Sequence, residues 1–257
     1  EVVTPTIDSL VQEGVELNRH YVHMMCTPSR SSFQSGRLPA HVLTVLSSPC
    51  DENGAIPRNM TGIAAVLKKA GYATHQVGKW DAGMATPSHT PKGRGYDTSL
   101  NYFGHGNWMW TEAEWLGSYD HRPDVPLPQI IDFWDTDKPA STLNGTGYEE
   151  YLFRHRMLDI IGAHDPSTPL FLQYDSKLCH YPLEAPPEYE ERFAFVNDSD
   201  FRKVYSAMAA FLDDQLLNVT SALKRLQNAV MKVQKSQHLS SGQYFGESFL
   251  HECSRDA

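Results

Sequence analysis

No stretch of this chain approaches the roughly 18 consecutive apolar residues that a membrane-spanning helix needs. Its apolar runs are short pieces such as Ala207 to Leu212, so no membrane span is expected. Basic charge is also short: 22 Lys and Arg stand against 31 Asp and Glu, a net charge of -9. A nucleic-acid binder usually carries a basic patch or a strongly basic domain, so nucleic acid is not expected as a partner. Cys-x-x-Cys pairs are missing, and Cys26, Cys50, Cys179 and Cys253 are too few and scattered for a disulfide scaffold. The 12 histidines include no H-x-x-x-H with a Glu between, so His20, His23, His89, His105 and His121 read as scattered loop residues. Gly104-His105-Gly106 and Gly93-Arg94-Gly95 lack the helix pattern a nucleotide loop requires, and no internal repeat is visible. What is present is a chain of 257 residues at 40% hydrophobic, enough for one sizeable core. Glu1 follows no Met and no charged-then-apolar leader, so the natural N-terminus is expected upstream. Sequons at Asn59, Asn144, Asn197 and Asn218 lean towards the secretory pathway.

Helical and extended patterns alternate. Pro5 suits a first helical turn, Ile7, Leu10 and Val11 share a face, and Gly14 stops it, after which Val15 to Val22 reads as extended. Thr61 is expected to cap a helix facing the core with Ile63, Val66, Leu67 and Ala70, followed by Gly71 and a strand at Tyr72 to Val77. Tyr148 to His164 has helical spacing, Asp165 to Pro169 breaks it, and Leu170 to Tyr174 reads as a buried strand. Lys203 to Leu226 is the clearest helix, striped by Val204, Met208, Phe211, Leu212, Leu216, Val219 and Leu223, and the period fades from Gln227 to Ala257. Helix-loop-strand units in series predict an α/β sandwich with a mostly parallel sheet. The Pro, Gly, Asp and Thr-rich segments Thr86 to Gly95 and Ser118 to Gly147 are long loops, and the nearby Trp80, Trp108, Trp110 and Trp115 suit sugar or aryl stacking as well as they suit covering the core.

The segment that carries chemistry is Cys26-Thr27-Pro28-Ser29-Arg30, continued by Ser32 and Ser35-Gly36-Arg37. Taken alone, Cys26 reads as a small buried residue or as a thiol nucleophile paired with a His. With Pro28 opening a helix, Cys26 lies at its N-terminus, where free N–H groups and the helix dipole favour an anion, and Arg30 sits about a turn further on.

The run Cys-x-Pro-Ser-Arg with its Gly-Arg continuation resembles the signature of the type I sulfatases, in particular the arylsulfatase branch. The likeness continues through Thr4-Pro5-Thr6-Ile7-Asp8, Gly78-Lys79-Trp80, Gly95-Tyr96-Asp97 and Pro169-Leu170-Phe171-Leu172 to His180-Tyr181-Pro182-Leu183, covering about residues 4 to 226. It implies an alkaline-phosphatase-like fold, incomplete here at both ends, with residues 1–226 as part of the catalytic domain and 227–257 as an atypical tail. It implies sulfate monoester hydrolysis through formylglycine, made from Cys26 by a formylglycine-generating enzyme, with Arg30 in the catalytic centre and Lys79 and His180 as ligands of the transferring group. It also implies a sulfated small molecule or glycan as substrate, a secreted or lysosome-like location, and a calcium ion to which residue 26, as formylglycine, is one ligand.

Two departures stand out. The family's carboxylate pairs for calcium have no counterpart in the sequence, and Asp81 stands where the family usually has His. An ionised Asp accepts protons and does not donate them, so Asp81 is read either as a working acid or as a salt bridge to Lys79. The rival readings are a degenerate sulfatase that binds sulfated glycans without turnover and a phosphoesterase of the same superfamily, the latter disfavoured by Cys26 where those enzymes present Ser or Thr.

Overall fold

A computed structural model describes residues 2–113 and 131–241. Trp115 and His121 of the sequence reading, and Cys253 in the tail, lie outside them.

The helices form where the sequence period places them. α1 (Pro5–Glu13) begins on its proline and ends at Gly14. α2 (Cys26–Ser35) is closed by Gly36 in the left-handed conformation at φ 65, which glycine adopts without strain, its N–H donating to the Ser32 carbonyl. α3 (Ile63–Lys69) starts one residue later than expected, with Gly62 and not Thr61 at the cap position. β1 (Ala73–Lys79) follows it and runs two residues past the expected end. Next come β2 (Thr98–Tyr102), the short strands β3 (Trp134–Asp135) and β4 (Lys138–Pro139), α4 (Glu149–Ala163), β5 (Leu170–Asp175), α5 (Pro187–Glu191) and α6 (Asp200–Ser241). α6 continues unbroken across Leu226, where the apolar stripe ends. Residues 15 to 22 form no strand; the segment is irregular, with Val15 88% and Tyr21 84% exposed, because no strand among the described residues pairs with it.

The sheet has the order β4-β3-β2-β1-β5. β1 pairs in parallel with β2 and with β5, and β3 and β4 add an antiparallel edge. This is an α/β fold with a mostly parallel open sheet. The core follows the sequence stripes: Met208 and Phe211 of α6 pack with Tyr148, Tyr189 and Phe193, while Val77, Leu100 and Tyr102 meet Phe153 and Met157 of α4. Among the described residues no helix is long and apolar enough to cross a membrane.

In an open parallel sheet, ligands bind beyond the carboxyl ends of the strands. The register pairs Lys79 with Tyr102 and Gly78 with Asp175, so the three parallel strands β2, β1 and β5 end side by side. Gly78 is required there. Its φ is +102, and a Cβ on it would lie 2.2 Å from the Asp175 carbonyl oxygen.

Candidate active site

Cys26 is the first residue of α2, after an extended Met25 that caps with no side chain. Pro28 has no N–H and the Ser29 N–H reaches the Met25 carbonyl at 3.3 Å, so the N–H groups of the first turn before it point off the helix end. The Ser29 hydroxyl donates to the carbonyls of His23 and Met25, each at 2.8 Å, and fixes the entry of the chain. A cleft of about 410 Å³ opens beside Cys26 and Arg30, with Met25, Gln173 and Asp175 also on its wall.

Lys79, Asp81 and His180 converge on this helix end. A hydrogen bond from His180 is the largest influence on the Cys26 thiol, followed by opposing burial, the positive charge of Lys79, the opposing charge of Asp81 and a hydrogen bond from Lys79. The net effect lowers the thiol to about 7. Arg30 sits one turn down α2, as expected, and donates from one Nη to the Lys79 carbonyl at 2.7 Å and pairs with Asp175 at 3.3 Å. Its guanidinium thereby ties α2 to the ends of β1 and β5. Burial raises Asp175 above the ordinary carboxyl range, although Arg30, Gln76 and Gln173 pull against it.

Lys79 and Asp81 meet just beyond the end of β1. β1 ends at Lys79, and Asp81 takes a left-handed φ of 46 beyond it. That conformation, uncommon for a residue other than glycine, turns the carboxylate back under the lysine. Lys79 Nζ lies 3.2 Å from Asp81 Oδ2, both side chains only 2% exposed. The Thr27 hydroxyl donates to Asp81 Oδ1 at 2.7 Å, and His105 Nδ1 lies 3.1 Å from the same oxygen. Burial pushes Asp81 up, but His105, Lys79 and Thr27 together outweigh it and hold the carboxyl below its ordinary value. Asp81 is therefore an ionised acceptor at neutral pH, which is the salt-bridge arrangement and not that of a proton donor.

The loop carrying His180 is anchored by a group the sequence did not point to. Glu150, at the start of α4, accepts from Tyr174 Oη at 2.5 Å, from the Ser176 hydroxyl at 3.1 Å and from the Lys177 N–H at 2.9 Å. Lys177 Nζ, buried beside Glu149 and Glu150, donates to Asn107 at 3.1 Å. Asn107 in turn donates to Glu149 at 2.7 Å.

The structure thus brings together all five sequence candidates, Cys26, Arg30, Lys79, Asp81 and His180, and adds Thr27, His105 and Asp175. His105 had one usable signal: it stands between two glycines, Gly104 and Gly106. Of the Trp cluster, Trp80 is a core residue whose indole donates to the Gly83 and His89 carbonyls, whereas Trp108 is 42% and Trp110 38% exposed.

Formylglycine suits position 26 by the donor set around it, since His180 and Lys79 already direct hydrogen bonds at that side chain. Calcium has no comparable support here: among the described residues, no three His, Cys, Asp or Glu side chains are gathered as a cation site requires.

Comparison with known proteins follows the same lines. The Sulfatase family matches residues 1–241. Arylsulfatase J of Mus musculus is 35% identical over 231 residues, covering 88% of this chain and 36% of that protein. An arylsulfatase of Klebsiella aerogenes is 25% identical over 219 residues, covering 82% of this chain and 45% of its own length. The crystal structure of Ps i-CgsB in complex with k-i-k-neocarrahexaose superposes with a TM-score of 0.75 at 25% identity, covering 88% of this chain and 51% of that one. The PsFucS1 sulfatase from Pseudoalteromonas sp. shares the fold at a TM-score of 0.63 and 20% identity, over 88% and 47% of the two chains. The sheet is accordingly of the alkaline-phosphatase-like kind, and the chain spans less than half the length of these curated relatives. With the Sulfatase family matched over residues 1–241, almost the whole of the described chain, the chain belongs to the sulfatase family.

Proposed function

We propose that the protein containing this chain hydrolyses sulfate monoesters, with residue 26 as the nucleophile. The observation that carries the reading is the convergence of His180 and Lys79 on the Cys26 side chain at the N-terminus of α2. Formylglycine at position 26 supplies a hydrated aldehyde oxygen as nucleophile. Residues of the chain do the rest. The α2 N–H groups and Lys79 bind the negative sulfate oxygens, where donors fixed before the reaction lower the barrier most. Arg30 braces the site by holding the Lys79 carbonyl and Asp175, which sets where the Lys79 side chain begins. His180 donates towards residue 26 from a loop that Glu150 holds still.

Calcium and a formylglycine-generating enzyme belong to the same proposal for the whole protein, as does a secreted or lysosome-like location. Exposed Asn59, Asn197 and Asn218 suit glycosylation in that compartment. The substrate class is an aryl or saccharide sulfate. Part-exposed Trp108 and Trp110 offer ring faces, and one structural relative is described with a neocarrahexaose bound.

A binder without turnover is the second reading, favoured by the Asp81 carboxylate that neutralises Lys79. Full-length protein co-expressed with the converting enzyme should release sulfate from aryl sulfates, and Cys26→Ala should not. Retention of sulfated ligand by wild type without sulfate release would instead support the binder.

A further inference from the structure

The two groups that direct hydrogen bonds at the Cys26 side chain, His180 and Lys79, are held by different loops. His180 belongs to the loop that follows β5. Lys79 ends β1, and its Nζ donates to the His105 carbonyl at 2.5 Å, in the loop that follows β2. The convergence on residue 26 therefore requires the two loops to be set relative to one another. Irregular backbone keeps one position only where buried contacts fix it.

Three consecutive buried residues at the head of α4 make those contacts. Glu150 accepts the Ser176 hydroxyl at 3.1 Å and the Lys177 N–H at 2.9 Å on one oxygen, and Tyr174 Oη at 2.5 Å and Gln215 Nε2 at 3.3 Å on the other. This fastens the first loop three residues before His180. Glu149 accepts from Asn107 Nδ2 at 2.7 Å, and its N–H donates to the Met109 carbonyl at 2.6 Å, which fastens the second loop two and four residues after His105. Tyr148 Oη donates to the Glu184 carbonyl at 2.7 Å, and Glu184 Oε2 accepts the Met109 N–H at 2.6 Å, so the loops are also tied to each other. Lys177 closes the arrangement, its Nζ donating to Asn107 Oδ1 at 3.1 Å within the field of both glutamates. Burying two carboxylates around one ammonium is a poor source of stability; what it fixes is geometry.

We propose that Glu149 and Glu150 are the positioning residues of the active site: Glu150 sets His180 against residue 26, and Glu149, through Asn107, sets the His105 carbonyl that holds Lys79 Nζ. This rests on the reading above that residue 26 is the reacting centre. Each glutamate acts through a loop, and the two routes end on different groups. That separates positioning from a general loosening of the fold. Breaking the Glu150 route matters only while His180 is present, and breaking the Glu149 route only while Lys79 is present.

The test uses full-length protein made without the converting enzyme and reads the rate at which iodoacetamide labels the Cys26 thiol at pH 7. Glu150→Met, and Asn107→Leu for the Glu149 route, should each slow labelling towards the rate of an ordinary cysteine, by up to about fivefold. In a His180→Ala background Glu150→Met should have no further effect while Asn107→Leu keeps its own; in a Lys79→Met background the pattern should invert. Slowing that is the same in every background, or no slowing in either single variant, overturns the proposal. If either variant fails to fold, Ser176→Ala and Asn107→Ser weaken the two routes in its place, and the same pairing of effects is expected at smaller size. In converted protein both routes should matter to turnover, each variant lowering kcat for an aryl sulfate by up to about 10²-fold, as a misplacement near 1 Å does. Wild type that releases no sulfate while the labelling pattern holds defeats the hydrolytic reading and supports the positioning, whereas uniform slowing in a protein that does release sulfate defeats the positioning alone.

Discussion

Produced without the converting enzyme, the protein keeps a thiol at position 26, and that thiol reports the electrostatics of the site. With the thiol at about 7, half of it is thiolate at pH 7. An ordinary thiol, at 9.0, would be about 1% ionised at that pH. The gain in thiolate is therefore about fiftyfold. A less basic thiolate is also less nucleophilic, by about eight- to tenfold over two pKa units for a Brønsted slope near 0.45. The net expectation is alkylation at pH 7 about fivefold faster than at an ordinary cysteine, with a pH midpoint near 7. Iodoacetamide labelling followed by peptide mass spectrometry measures this directly. Cys179 is an internal control: burial raises its thiol despite a hydrogen bond with Tyr205, so it should label slowest. Because the Cys26 thiol is lowered, its ionised form predominates above the midpoint and disappears as pH falls through it. His180→Ala removes the largest single lowering contact and should move the midpoint upward, and Lys79→Met, which removes both a positive charge and a hydrogen bond, should do so as well. A midpoint near that of an ordinary cysteine, unchanged by either substitution, would refute the convergence of His180 and Lys79 on residue 26.

Gly78→Ala should cost about 3 kcal/mol or more in chemical denaturation, from a positive φ combined with a 2.2 Å approach to the Asp175 carbonyl. Arg30→Ala strips the partly buried Asp175 of its cation and should lower stability by about 2 kcal/mol as well as activity, while the double variant Arg30→Ala with Asp175→Asn should recover stability without activity. Phe211→Ala opens the cluster shared with Tyr148, Tyr151 and Tyr189 and should cost about 3–5 kcal/mol, with a correspondingly lower midpoint of thermal unfolding.

The parts legible in the sequence were those written locally. The Cys26 to Arg30 signature is five adjacent residues, and α4 and the first half of α6 carry an apolar period that burial rewards, whereas α1 forms on its period although Leu10 and Val11 stay exposed. β2 was not legible because both of its faces are covered and its buried positions include Ser99 and Asn101, so neither alternation nor an apolar run marks it. The later part of α6 continues as helix after the period fades, since helical hydrogen bonds need no apolar stripe once the first turns are held. His105 was read as a scattered loop histidine because its meaning depends on a contact 24 residues away in sequence. That contact follows from the β1 and β2 register, which sets Lys79 beside Tyr102 and carries the Trp80 N–H onto the Tyr102 carbonyl at 2.9 Å. Asp81 was legible as a departure at the right place, but not as the meeting point of Thr27, Lys79 and His105, which only the left-handed turn after β1 brings about.

The central claim is that residue 26 acts as formylglycine at the head of α2. Full-length protein shown to hydrolyse an aryl sulfate should be treated with a hydrazide reagent, digested, and the peptide bearing position 26 weighed. The account predicts an aldehyde at position 26, trapped as the hydrazone, with activity lost in proportion to trapping. An unmodified Cys26 thiol in fully active protein would contradict it.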